Sequence, residues 1–223
     1  MTLPPNEPTG DTAPTRAPGA AERLLERAGA LAAGPRPADA LPVYRELLVG
    51  EPEHFEGRVH LARLLAELDE PAEAVTVLDD ALRHAPDGTE FLLLRGAMYA
   101  RLRRYGEAET DLRRVLRLHP SHAPAHLELG RLLWRKGLAA DAAVHFQRSL
   151  EFQPDNAKTY YYLGDSLNQL GDLPGARAAV ERAIQVCPED AKAYHLMGRV
   201  LDRMCLPDQA QEMYRRGREL AGL

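Results

Sequence analysis

The stretch APAHLELGRLLWRKGLAADAAVHFQRSLEFQP, residues 123–154, reads as two short helices and a stop. Leu127, Leu129, Leu132 and Leu133 recur at helical spacing, and Gly137 ends that run. Ala142, Phe146, Ser149 and Leu150 repeat the spacing in a second run. Pro154 cannot continue a helix, because it lacks a backbone N–H and turns its predecessor away from helical angles. Asp155 or Asn156 can then cap the next helix by accepting an orphan N–H bond.

Pro154 is one rung of a ladder: Pro52, Pro86, Pro120, Pro154 and Pro188 follow one another every 34 residues. A fixed period of this size is the mark of stacked repeats. The same step generates an alanine column, Ala40, Ala74, Ala108, Ala142, Ala176 and Ala210. It also generates a small-residue column, Ala28, Ala62, Gly96, Gly130, Gly164 and Gly198. Small residues let paired helices approach closely where larger side chains would hold the backbones apart. One pair cannot bury its own apolar face, so the units must stack.

These columns resemble the tetratricopeptide repeat family. A large-residue column adds Tyr44, Leu78, Leu112, Phe146, Val180 and Tyr214, and Leu61, Leu129, Leu163 and Met197 precede the small residue as the family pattern requires. The resemblance runs over about residues 21–222 and implies an all-α, right-handed superhelical solenoid of about six helix-turn-helix units. The expected units are 21–54, 55–88, 89–122, 123–156, 157–190 and 191–223, with a disordered Pro-rich tail over 1–20. Four residues depart from the pattern. Arg27 and Arg95 stand where other units carry leucine or methionine, and Arg58 and His126 take a place usually given to a large apolar residue. Looser interfaces, or arginine stems that pack while their heads reach water, are the two readings of these positions.

Composition narrows the function classes. A net charge of -5 lacks the basic footprint of a nucleic-acid binder. No uncharged apolar run approaches the roughly 20 residues of a membrane helix, so no direct membrane insertion is expected. The start, Met1-Thr2-Leu3-Pro4-Pro5, has neither a basic nor an apolar leader region, and a cytoplasmic setting is expected. Cys187 and Cys205 lie about 14 helical residues apart in level, roughly 21 Å, too far for a disulfide. At the C-terminus, Met213, Tyr214 and Leu220 face an unstacked end, which frays, docks on a partner, or self-associates.

No phosphate loop, nucleophile elbow or zinc-protease motif is present, and no enzyme activity, catalytic residue or cofactor is expected. His119, His122 and His126 are the one cluster with metal-like spacing. No cysteine or carboxylate completes the set, so they read as turn histidines plus one packed histidine, and no metal is expected.

The family resemblance implies that first helices line a concave groove, where residues spaced i, i+4, i+7 share one side. The groove residues expected to hold a partner are Arg63, Leu93, Leu127, Arg131, Trp134, Arg135, Tyr161, Tyr162, Asn168, His195, Arg199 and Arg203. Aromatic rings and arginines are the types enriched at binding hot spots. Packing between repeats is the competing reading of Tyr161 and Tyr162. The expectation is a non-enzymatic interaction scaffold for a protein or peptide of acidic or aromatic character. An assembly factor and a permanent accessory subunit are the alternatives. A chaperone-tail clamp is not expected, because the first-helix columns lack its asparagines and Asn168 comes a turn too late.

Overall fold

The computed structural model describes residues 19–222. The tail expected over 1–20 therefore lies, for residues 1–18, outside the described residues. Twelve α-helices and one 3-10 turn make up the regular structure, with no strand among the described residues. The fold is all-α and built from helix-turn-helix repeats. It divides into two compact units between Asp69 and Glu70.

The first unit contains α1 (Ala20–Ala32), a 3-10 turn (Pro37–Ala40), α2 (Leu41–Gly50) and α3 (Phe55–Glu67). Ala28, Ala40, Tyr44, Leu47, Leu61 and Leu65 are its buried centre. A Cβ on Gly57 would stand 2.7 Å from Leu47 Cδ2, so α2 and α3 touch where there is no side chain.

The second unit runs α4 (Pro71–His84), α5 (Thr89–Arg101), α6 (Tyr105–Leu118), α7 (Ala123–Arg135) and α8 (Ala139–Phe152). It continues with α9 (Ala157–Leu170), α10 (Leu173–Val186), α11 (Ala191–Arg203) and α12 (Pro207–Ala221). Its hairpins α5/α6, α7/α8, α9/α10 and α11/α12 close on the glycine column. A Cβ on Gly96, Gly130, Gly164 or Gly198 would stand 2.9, 2.7, 2.5 or 2.4 Å from Leu112, Phe146, Val180 or Tyr214. Each glycine lies opposite the large residue sixteen positions on, so the two sequence columns are the two sides of one contact.

Successive first helices also approach one another, α5 with α7, α7 with α9 and α9 with α11, whereas the second helices make no comparable approach among themselves. Helices closer on one side than the other must curve, and the first helices lie on the inside of that curve.

Two further columns set the register of each turn. Just past the C-terminal ends of α3, α5, α7, α9 and α11 the backbone takes a positive φ, at Asp69, Arg103, Gly137, Gly171 and Cys205, again every 34 residues. Proline cannot adopt that angle. Pro35 occupies the equivalent place in the first hairpin, where a 3-10 turn replaces the direct entry into a second α-helix. The residues before α3, α5, α7, α9 and α11 form the second column: His54, Gly88, His122, Asn156 and Asp190. His54 Nδ1, His122 Nδ1 and Asn156 Oδ1 accept from the backbone N–H three residues on, at 3.1, 3.2 and 3.1 Å, and Asp190 Oδ1 from Lys192 N–H at 3.0 Å.

The four departures from the repeat pattern resolve differently from one another. Arg27 is exposed. Arg95 neither loosens its interface nor sends its head to water. Nε and Nη2 donate to the two Asp111 carboxylate oxygens at 2.7 and 2.8 Å, and Nη1 donates to Asp79 Oδ1 at 2.7 Å. Arg58 is buried, with Nε donating to the Pro52 carbonyl at 2.6 Å. His126, two repeats later, lies 3.0 Å through Nε2 from the Pro120 carbonyl. Both polar residues fill an apolar slot by tying down the proline turn six residues before them.

Helix α12 continues to Ala221 and closes on Gly222 with φ of 70°. Met213, Tyr214 and Leu220 are half-buried, and Tyr214 Oη donates to Asp202 Oδ2 at 2.7 Å.

Candidate functional site

Helices α7, α9 and α11 bring part of the expected groove together, and their common centre is Asp165. This carboxylate is buried, with its side chain 7% exposed. Trp134 Nε1 of α7 donates to Oδ2 at 2.8 Å, Gln169 Nε2 of α9 donates to the same oxygen at 3.0 Å, and Arg199 Nη2 of α11 donates to Oδ1 at 2.7 Å. Three successive first helices are thereby tied through one side chain.

Around that centre lies an aromatic cluster. Tyr162 stacks on Phe146 with centroids 5.6 Å apart and meets the Trp134 and Tyr161 rings edge-on, each at 5.4 Å. The Arg131 guanidinium lies 5.5 Å from the Tyr162 centroid, and its Nη1 donates to both Glu128 oxygens at 2.6 and 2.8 Å. Burial works against the Arg131 charge, but Glu128 and the Tyr162 hydroxyl outweigh it and raise its pKa. Burial raises the Tyr161 pKa, and Asp165 adds to the effect, so this hydroxyl stays protonated and able to donate. Trp134, Tyr161 and Tyr162 are half-buried. They combine packing between repeats with an accessible face.

The remaining expected residues fall in several places. Arg203 Nη1 donates to Asn168 Oδ1 at 2.7 Å and also to the Asn168 carbonyl. Asn168 is itself buried, which makes the pair a second tie between α9 and α11. Leu93 and Leu127 are buried. Arg135 is exposed at the end of α7 and makes no ion pair with any described residue. His195 packs on α12, with its ring 6.1 Å from that of Tyr214 and close against Gly217. Arg63 lies exposed on α3 in the first unit.

The set of residues expected to hold a partner leaves out Asp165, which shares the groove column with Tyr161 and Asn168, and also Glu128 and Gln169. A signal for Asp165 was available. Positions 131, 165 and 199 are equivalent in successive repeats and read Arg, Asp, Arg. An acidic residue between two basic ones in one column is the pattern of a tie along the stack.

No group of histidine, cysteine or carboxylate side chains among the described residues could hold a metal ion. The expected histidine cluster is split between roles: His122 caps α7, and His126 Nδ1 lies 3.0 Å from His145 Nδ1. Because a carbonyl only accepts, His126 Nε2 carries the proton toward Pro120. In that tautomer His126 Nδ1 is the acceptor and His145 Nδ1–H the donor.

A family model described as Tetratricopeptide repeat matches residues 59–123, 99–157 and 127–193. Among solved structures, the chain is similar to a tetratricopeptide repeat protein from Parabacteroides merdae ATCC 43184, at 21% identity and TM-score 0.74, covering 92% of this chain and 80% of that one. It is similar to MamA from Desulfovibrio magneticus RS-1, at 25% identity and TM-score 0.66, covering 74% and 93%. It is also similar to YrrB, described as a TPR protein with an unusual peptide-binding site, at 20% identity and TM-score 0.61, covering 79% and 91%. No curated protein sequence matches the chain.

Proposed function

The chain belongs to the tetratricopeptide repeat family, and from that premise we propose that it is a non-enzymatic interaction scaffold whose first-helix face holds a partner peptide or subunit. The observation that carries this reading is the half-buried Trp134–Tyr161–Tyr162 cluster, fixed in place by Asp165 on the inner side of the curve. Rigid rings held by packing present apolar area at little entropic cost, the character of a hot spot. The description of YrrB as peptide-binding lends the same fold a precedent.

The partner segment carries an aromatic or aliphatic side chain for the ring cluster and a carboxylate for the arginine rim. Arg131, Arg199 and Arg203 already have Glu128, Asp165 and Asn168 as acceptors. A partner carboxylate therefore meets Arg135 first, and reaches Arg199 through its exposed portion. A cytoplasmic setting belongs to the proposal and fits Cys187 and Cys205, both free and exposed. No helix among the described residues is long and apolar enough to cross a membrane.

The test is affinity purification with mass spectrometry, comparing the intact chain with a Tyr161→Ala, Arg135→Glu variant. Neither side chain is an Asp165 ligand, so the fold should persist, as circular dichroism would verify. The expected result is at least tenfold lower recovery of specific partners. Equal recovery from a folded variant would overturn the groove reading. Recovery that weakens with salt marks a transient scaffold, because exposed charge contacts are screened; stoichiometric recovery through high salt marks a permanent subunit.

A further inference from the structure

A second recess lies away from the aromatic face. It is a cavity of about 600 Å³ between α6 and the α7/α8 hairpin, floored by Leu116 and Leu129 and edged by Arg113, Arg117, His126 and His145. On α7 it uses His126 and Leu129, not the Leu127, Arg131 and Trp134 that share the inner side. The edge is cationic. Arg117 is exposed and makes no ion pair with any described residue, while Arg113, itself exposed, pairs with half-buried Glu109 at 2.8 Å. Water around the Arg113 head screens that pair and keeps its contribution small. Glu109 is itself shared with Lys136, at 2.8 Å.

The repeat supplies an internal comparison. A cavity of the same volume, about 600 Å³, lies between α10 and the α11/α12 hairpin, formed by positions two repeats further on. There Glu181 replaces Arg113, Gln185 replaces Arg117, Tyr194 replaces His126 and Met213 replaces His145, and the three carboxylates of Glu181, Asp208 and Glu212 outnumber the single cation, Arg177. The backbone makes one recess twice, and the side chains give the two copies opposite charge. Shape is common to both, so the difference between them is chemical.

We infer that the α6/α7/α8 recess is a docking site for an acidic segment of a partner protein, one aliphatic side chain flanked by carboxylates. The aliphatic group enters over Leu116 and Leu129. Its flanking carboxylates pair with Arg117 and with Arg113, whose fork can accommodate both oxygens of a carboxylate once Glu109 is displaced. The cationic edge repels a basic segment.

The test uses the full chain and two synthetic probes, acetyl-Glu-Leu-Glu-amide and acetyl-Lys-Leu-Lys-amide, followed by the imidazole NMR signals of His126 and His145. The expected result is saturable shifts of both rings with the acidic probe and none with the lysine probe. An Arg113→Glu, Arg117→Glu variant should weaken the acidic probe at least tenfold. Both arginines lie on solvent-facing positions of α6, and an unchanged melting temperature would verify the variant's fold. Should that variant melt early, Arg117→Ala serves instead, with a loss of at least threefold expected. No shift at millimolar acidic probe, equal response to the lysine probe, or undiminished binding by the folded variants would each overturn the inference. Inorganic phosphate that displaced the probe at equal concentration would overturn it as well, by showing a general anion site.

Discussion

Asp165 shows how much one residue carries. Its carboxylate is almost out of water and takes three donors, two of them from neighbouring repeats. Replacing it with alanine removes two links between helices and leaves Trp134 Nε1 without its acceptor. Hydrogen bonds to a charged group contribute about 1.5–3 kcal/mol each, but Arg199 is half-exposed and recovers water. Asp165→Ala should therefore cost about 2–3 kcal/mol, read as a lower urea midpoint. A second residue-scale prediction concerns the positive-φ column. Arg103 sits at φ of 58°, a strained angle for a residue with a side chain, where Gly137 and Gly171 stand in later repeats. Arg103→Gly should raise stability by about 1 kcal/mol, whereas Gly137→Ala should lower it by about as much. Urea unfolding of both variants checks the opposite signs.

At the scale of elements, each hairpin depends on a missing side chain. A Cβ on Gly164 would stand 2.5 Å from Val180 Cγ2 and 3.3 Å from the Ala176 carbonyl, so backbone as well as side chain must yield. Gly164→Leu should cost about 3 kcal/mol through overpacking, despite better helix propensity, and thermal melting will show it. Helix starts make a pH prediction. Burial holds His122 below the ordinary imidazole value of 6.5, and burial with the neighbouring His126 does the same for His145. The unfolded chain then binds protons that the native state does not, so stability rises with pH across this window. Stability should be level above about pH 7 and fall as the pH drops from about 6.5 toward 5. His122→Asn keeps a cap acceptor that does not titrate, as Asn156 does one repeat later, and should flatten part of that slope in melts taken across pH.

At the scale of the whole molecule, the repeat was legible because period and volume leave a direct trace. Proline, alanine and glycine columns state where helices stop and where they touch, and Gly130 facing Phe146 is what those columns required. Less legible was which polar residues would be occupied. The repeat columns marked Arg95 and Arg58 as polar residues at apolar positions, but their acceptors, like the Arg199 that pairs with Asp165, lie in other helices or in turns, and no column names those partners. The candidate site was thus half readable: its rings and arginines were visible, but the partners that already hold the arginines were not. Stacked repeats support mainly their neighbours. A chain ending at residue 190 should accordingly keep its helicity per residue and cooperative melting while losing several degrees, as circular dichroism can measure.

The inner helices crowd while the outer ones stand apart, and the Trp134–Asp165–Arg199 bridge spans three of the crowded members. Such an arc is an elastic body with a stop on one side. Straightening it pulls α7, α9 and α11 away from one another, and the bridge opposes that stretch. A bulky guest that demands a flatter cradle must work against this spring, whereas a slender one leaves it at rest.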